Sequence, residues 1–364
     1  MHYKITNEEE KHYGYQYKTG LNILDGNFDY SGSCCEGGFY FTELKYIHEY
    51  YDYGIYIREV ILPKSDPDFV MAKNPSGNKW RANKIVLGKR YSLFDPSTYT
   101  ELGITRYPKW LIDEASKNNY LDALYLQTQF NLPYTEFAID HASANGHIGI
   151  LDWWLAAKES GIVLKYSEDA IDYASRHGHL SVLQWWAASG LTIRYSRFAI
   201  DRASENGHVD VLQWWKQRYV DNQTELKYTI DAIDYASYNG HKNVLNWWKD
   251  SALKLRYSKR AIDYASRYSD IDILQWWLDY KTERPNLTLE YSNDAIDYAS
   301  RNGHIRVLQW WLNSGLPMKY SKCAIISAHM HNNDDVINWW EKSDVDYPEI
   351  EEEDWDMCGC DCCQ

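Results

Sequence analysis

Seven tryptophan pairs recur along this chain at a nearly fixed interval, and no other feature limits its fold so strongly. They stand at Trp153/Trp154, Trp185/Trp186, Trp214/Trp215, Trp247/Trp248, Trp276/Trp277, Trp310/Trp311 and Trp339/Trp340, at intervals of 32, 29, 33, 29, 34 and 29 residues. A period of this size belongs to architectures in which one supersecondary unit is copied and stacked. Fifteen residues ahead of each pair's first Trp an Ala-Ile dipeptide begins, at Ala138, Ala170, Ala199, Ala232, Ala261, Ala295 and Ala324. An eighth, degenerate copy precedes them: LIDEASKNNYLDALYL, from Leu111, aligns with the others and lacks only the Trp pair.

Within the copy that starts at Ala295, Ile296, Ala299 and Ser300 fall at i, i+3 and i+4, which predicts a short helix with one small-sided face. Asn-Gly or His-Gly follows in five copies, ending at Gly146, Gly178, Gly207, Gly240 and Gly303. Glycine just past a helix end predicts a left-handed residue and a tight turn. The next segment is apolar at Ile305, Val307, Leu308, Trp311 and Leu312, a wide stripe on a second helix. Each copy therefore reads as helix, turn, helix, loop.

Such a helix pair cannot bury its apolar face alone, so neighbours must stack into one core. An indole losing about 150–250 Å² to that core contributes roughly 4–6 kcal/mol gross, and the Trp pairs are expected to hold the stack together. The two end copies depart in a polar direction. The first has no Trp pair, and the last carries Asn332, Asn333, Asp334 and Asp335 around its turn, as capping copies would.

The run Asp294 to His304, DAIDYASRNGH, resembles the ankyrin T-P-L-H-x-A-A-x-x-G-H signature, and Val307 to Leu312 is similar to its V-V-x-L-L-L block with two leucines changed to Trp. In eight copies the likeness covers residues 106–342, and it is nearest to the ankyrin-repeat proteins of giant DNA viruses such as mimivirus. The resemblance implies an α+β chain: a small mixed α/β N-terminal domain (1–105), then an all-α ankyrin-like repeat solenoid (106–342), then an acidic Cys-rich tail (343–364) read as disordered. Where the signature has His this chain has Asp, at Asp113, Asp140, Asp172, Asp201, Asp234, Asp263 and Asp297, and the Gly-containing hairpin finger is replaced by segments such as LKYSEDA. An extended finger at each junction is therefore not expected.

The first hundred residues alternate aromatic and β-branched side chains broken by Gly. GFYFT (Gly38 to Thr42), GIYIREVILP (Gly54 to Pro63) and KIVLG (Lys84 to Gly88) read as strands, with ELKYIHEYY between the first two as a short helix. LPKSDPDF and KNPSGNK read as loops. The region resembles the leader domain of viral ankyrin arrays. A second likeness, His12-Tyr-Gly followed by Gly37 to Phe41, is to ADP-ribosyltransferase-like folds. It would imply an enzyme working on targets that the repeats recruit, with His12 and Tyr51 beside a nicotinamide dinucleotide; of the glutamates, Glu59 and Glu101 both fit that pattern poorly.

Other function classes are disfavoured by charge and motif content. The formal net charge is −14, of which the nine acidic residues after Lys342 supply the larger part, so the excess of Lys and Arg that nucleic-acid binding draws on is missing. No apolar run is long enough to span a bilayer, and the N-terminus lacks a signal-peptide pattern; an intracellular chain, in host cytoplasm, monomeric and off the membrane, is the expectation. Seven cysteines, four of them Cys358, Cys360, Cys362 and Cys363, do not form a secreted disulfide framework. The C-terminal four lack paired C-x-x-C spacing, so a solvated tail is preferred to a metal site or a lipidation site. Lys79, Arg81, Lys84, Lys89 and Arg90 around Trp80 read as a solvated strand face. The Asp ladder and the histidines His147, His179, His208, His241 and His304 read as hydrogen-bonding groups, because successive copies stand roughly 10 Å apart and cannot share one ion. No catalytic residue, cofactor or metal is called for.

What remains is protein binding. If the ankyrin resemblance holds, the two residues before each turn glycine, or before Ser269 in its place, line the concave side: Ala144/Asn145, Arg176/His177, Glu205/Asn206, Tyr238/Asn239, Arg267/Tyr268 and Arg301/Asn302. Arg and Tyr are favoured where binding energy concentrates.

Overall fold

The structure, a computed structural model, describes residues 1–28, 37–75, 77–222, 225–346 and 350–351. The four C-terminal cysteines of the sequence reading, Cys34 and Cys35 lie outside the described residues. Chain contacts divide the molecule into two compact units, 1–142 with 147–166, and 143–146 with the residues from 167 onward.

The first unit opens with a seven-stranded antiparallel sheet, in the order β4-β9-β6-β1-β5-β8-β7. Its strands are β1 (His2–Thr6), β4 (Gly20–Ile23), β5 (Phe39–Glu43), β6 (Tyr56–Ile61), β7 (Met71–Lys73), β8 (Lys79–Ala82) and β9 (Lys84–Ser92). A two-strand ribbon, β2 (Lys11–His12) with β3 (Tyr15–Gln16), lies outside it. β1 sits at the centre, paired with β6 through Tyr3 opposite Glu59 and Ile5 opposite Ile57. Tyr17, Phe39, Phe41, Val60, Ala82, Ile85 and Leu87 build a core on the sheet. Between β5 and β6, where a short helix was expected, a 3-10 helix runs over Leu44–Tyr53. The strands read from sequence at Gly38, Gly54 and Lys84 correspond to β5, β6 and β9, while β1, β4, β7 and β8 are additional. Arg81 corrects the reading of the basic cluster as a solvated face. It is 1% exposed, in a strand whose partner pairs it with Tyr40, whereas Lys84 and Lys89 reach Asp66 and Glu101 at 2.8 and 2.5 Å.

Helices α1 (Pro96–Leu102), α2 (Leu111–Lys117), α3 (Leu121–Phe130), α4 (Phe137–Ala144) and α5 (Ile148–Glu159) follow. The Asp95 carboxylate caps α1 by accepting from the Ser97 amide at 2.8 Å, with Pro96 at the first helical position.

In the second unit, short and Trp-bearing helices alternate. The short ones are α6 (Asp169–Arg176), α8 (Phe198–Glu205), α10 (Asp231–Tyr238), α12 (Arg260–Arg267), α14 (Asp294–Arg301) and α16 (Cys323–Met330). The Trp-bearing ones are α7 (Leu180–Ala188), α9 (Val209–Asn222), α11 (Lys242–Asp250), α13 (Ile271–Thr282), α15 (Ile305–Asn313) and α17 (Asp334–Lys342). Short helices pack directly against one another because Ala and Ser side chains let their backbones approach: in α10, Ala232, Ile233, Ala236 and Ser237 are all buried.

One expectation needs refinement. Only the second Trp of each pair is fully buried; apart from Trp276, the first is half-buried, and Leu312, read as part of the apolar stripe, is 39% exposed. The stripe on α15 is thus Val307, Leu308 and Trp311.

Candidate functional site

Five sets of hydrogen bonds hold successive copies together, and they decide which surface is left for a partner. The inner indole of each pair donates to the serine of the preceding copy's short helix: Trp186 to Ser143, Trp215 to Ser175, Trp248 to Ser204, Trp277 to Ser237, Trp311 to Ser266 and Trp340 to Ser300, all buried, at 3.0–3.3 Å. In the first unit Trp154 does the same to Ser116 at 3.1 Å. The outer indoles make a parallel, more exposed set, with Trp247 on Gln213, Trp276 on Asn246, Trp310 on Gln275 and Trp339 on Gln309.

The repeated aspartates are structural. Asp234 accepts from both the amide and the hydroxyl of Ser258, and Asp201, Asp263 and Asp297 treat Thr229, Ser292 and Ser321 alike. Each hydroxyl in turn accepts from the amide two residues on, as Ser258 does from Arg260, so one carboxylate fixes the start of the next short helix. Burial pushes the carboxyls of Asp172, Asp234 and Asp297 up to about 6, against the pull of those hydrogen bonds in the opposite direction.

The histidines also bridge copies. His304 donates through Nε2 to the Arg267 carbonyl at 3.0 Å, satisfying a helix end. Gly178 shows why glycine precedes them: its φ is +73°, and a Cβ there would lie 2.6 Å from the His208 ring.

The loops carry no strand among the described residues of this unit. They are joined instead by tyrosines. The Tyr228 hydroxyl donates to the Lys254 carbonyl and that of Tyr291 to Pro317, both at 2.9 Å, while each ring packs on an inner indole, 4.7 Å from Trp248 and 4.8 Å from Trp311. Lys319 closes the link by donating to the Tyr291 carbonyl with its ammonium 4.3 Å above that ring.

The residues read from sequence as partner-binding divide into two groups against this background. His177, Asn239 and Asn302, though exposed, spend their side chains on the copy before, reaching the carbonyls of Ala144, Glu205 and Arg267 at 2.8–3.0 Å. Asn206 bonds to the Arg202 carbonyl in its own helix, and Glu205 pairs with Arg202. Arg176, Tyr238 and Tyr268 are exposed, with Arg267 and Arg301 half-buried. Ala144 is buried and Asn145 exposed.

One turn earlier on the same helix face stand residues that the sequence reading passed over: Tyr173, Arg202, Tyr235, Tyr264 and Tyr298. Their place after the Asp of each copy was the available signal. Together the two rows make a stripe of rings and guanidinium groups across the short helices. Arg202 lies 5.6 Å from the Tyr235 ring, Tyr238 lies 5.5 and 4.8 Å from Tyr264 and Tyr268, and Arg267 lies 4.4 Å from Tyr298. The Tyr238 hydroxyl is shifted upward, chiefly through its hydrogen bond with Tyr268.

In the first unit, His12 lines a cavity and its Nε2 lies 3.1 Å from the Tyr53 carbonyl. Tyr51 is buried elsewhere, donating to the Arg106 carbonyl. Glu59 accepts from Tyr91 and Glu101 from Lys89, and neither lines that cavity. The four residues named for transferase chemistry are not brought together. Among the described residues no cluster of His, Cys, Asp or Glu is arranged to hold a metal ion, and no helix is long and apolar enough to cross a membrane.

Comparison with known proteins places these repeats. Residues 262–310 match the family described as "Ankyrin repeats (many copies)". A putative ankyrin repeat protein of Acanthamoeba polyphaga mimivirus is 39% identical over 162 residues, 42% of this chain and 81% of that protein. Two uncharacterized proteins of the same virus are 36% and 50% identical, over 41% and 27% of this chain, which spans 47% and 72% of their lengths. The crystal structure of the human ASB11 ankyrin repeat domain aligns at a TM-score of 0.41 and 17% identity, over 58% of this chain and 99% of that one. With its period, its helix pairs and these relatives, the chain belongs to the ankyrin-repeat proteins of giant viruses.

Proposed function

We propose that this protein is a non-enzymatic scaffold whose short-helix stripe holds a segment of another protein, a host protein being the natural candidate for a viral chain. One observation carries the reading: side chains on this face that the stack does not consume are Tyr and Arg, in ring-to-ring and cation-to-ring contact from Arg202 to Tyr298. Such groups are pre-ordered by one another, offer flat area and directional donors, and lose little freedom on binding.

The charge on the stripe narrows the partner. Four arginines, Arg176, Arg202, Arg267 and Arg301, stand on the stripe, and Arg202 is paired with Glu205 and feels Asp231 as well. An acidic, extended segment with an apolar or aromatic anchor fits that pattern, and attraction over a groove of one sign also speeds encounter.

The test is affinity capture from host-cell extract with the full chain, a Tyr238→Ala/Arg267→Ala variant, and a Lys242→Ala control on α11. The partner should be lost at least tenfold with the first variant and kept with the control, at unchanged thermal unfolding. A partner held equally by all three would remove the site from the short helices.

A further inference from the structure

The first unit holds a cavity of about 840 Å³ beside the central strand β1, walled by β5, the β2–β3 ribbon and the 3-10 helix. Its size is that of small-molecule sites, which run from about 300 to 1,000 Å³. Two features of the wall point to a ligand.

The first is a buried cation. Lys4 lines the cavity at 7% exposure, donates to the Tyr40 carbonyl at 3.1 Å, and lies 4.6 Å over the Tyr17 ring. An ammonium has three protons to donate and is costly to bury without a counter-charge. Among the described residues no carboxylate lies within ion-pair distance of it. Burial lowers this ammonium to about 7, so an anion bound beside it would draw it to the charged form.

The second is a set of flat rings. Tyr15, Tyr17 and Phe39 pack with centroids 4.7–5.6 Å apart and His12 lies 5.9 Å from Tyr17, all on the same lining. Asp25, exposed on that lining, supplies an acceptor for hydroxyl groups. Rings for a planar heterocycle, a buried ammonium for an anion and a carboxylate for a hydroxyl are three recognition elements of different kinds in one space.

We infer that this cavity is a binding site for a nucleotide-class ligand, a planar base joined through a hydroxylated sugar to phosphate, with Lys4 meeting the phosphate and Tyr15, the half-buried ring backed by Tyr17 and Phe39, meeting the base. An ordinary buried lysine would find its carboxylate within the protein, and a purely apolar cargo site would not carry a cation in its floor. The inference is independent of the repeat surface.

The test is isothermal titration calorimetry of the full chain with ADP, adenosine and inorganic pyrophosphate. ADP should bind once per chain, at least tenfold more tightly than either fragment, and Lys4→Met should weaken ADP at least tenfold while leaving adenosine unchanged. Absence of ADP binding, pyrophosphate binding as tightly as ADP, or ADP binding unaltered by Lys4→Met would each overturn the assignment. Should Lys4→Met fail to fold, hydrogen exchange on the unmodified chain decides: ADP must slow exchange in β1 and β5, and protection confined elsewhere overturns the site.

Discussion

The Trp248 indole and the Ser204 hydroxyl meet where water cannot replace either, and the same pairing at lesser depth joins Trp247 to Gln213. Removing an acceptor from a buried N–H leaves its desolvation uncompensated, roughly 1–3 kcal/mol; at the half-exposed indole, solvent takes over the bond. Ser204→Ala should therefore lower the urea unfolding free energy by about 1–3 kcal/mol and Gln213→Ala by under about 0.5 kcal/mol; equal losses would show that the inner bond is not special. Asp234 makes a second prediction, of the opposite character to a surface ion pair. Its carboxyl is held at about 6 by burial, against an ordinary 3.8. Below the unfolded value both states are neutral and its contribution to stability is complete. As pH rises toward 6 the unfolded chain releases the proton first, so that contribution declines and is gone above the folded value. The unfolding free energy should fall between pH 4 and pH 6.5 more steeply in the native chain than in Asp234→Asn, and parallel pH profiles would refute the assignment.

Each helix pair turns through one left-handed residue, and the copies differ in how comfortably they do so. Gly178 and Gly303 take φ of +73° and +77°, but the copy between α12 and α13 puts Ser269 there at +62°, a conformation that costs a side-chain-bearing residue roughly 1–2 kcal/mol. Ser269→Gly should raise the thermal midpoint, by about 0.5–1 kcal/mol of stability after the entropy that glycine adds to the unfolded chain, and a lowered midpoint would show that the serine is making a compensating contact. These helices and turns were legible in the amino-acid sequence because period, capping residue and apolar face repeat and reinforce one another. β7 and β8 were not: they are three and four residues long, and Lys79, Trp80 and Arg81 read as a solvated basic face until Arg81 is seen to be interior. The candidate surface was half legible. Arg176, Tyr238 and Arg267 stood at the named positions, but Asn239 and Asn302, chosen by the same rule, serve the carbonyls of the copy before. Periodicity locates a face; only the neighbouring copy shows which of its polar groups are already engaged.

At the scale of the molecule, the second unit is a stack in which each copy touches only its neighbours, so stability is a chain of interfaces and not one shared core. Trp277 belongs to the middle of that chain: it bonds to Ser237 in α10, packs 4.4 Å from Tyr257, and is 1% exposed. Truncating a buried Trp to Ala removes about 3–5 kcal/mol, and here the loss falls on the single junction between the α10–α11 pair and the α12–α13 pair. Since the copies on either side keep their own interfaces, Trp277→Ala should split urea unfolding, followed by far-ultraviolet circular dichroism, into two transitions. Trp340→Ala removes an equivalent indole, bonded to Ser300, at the last junction, and should leave one main transition with a smaller, early loss from the end. If both variants instead unfold in a single shared transition, the copies are coupled beyond nearest neighbours, and a partner bound at the stripe would then be sensed along its whole length.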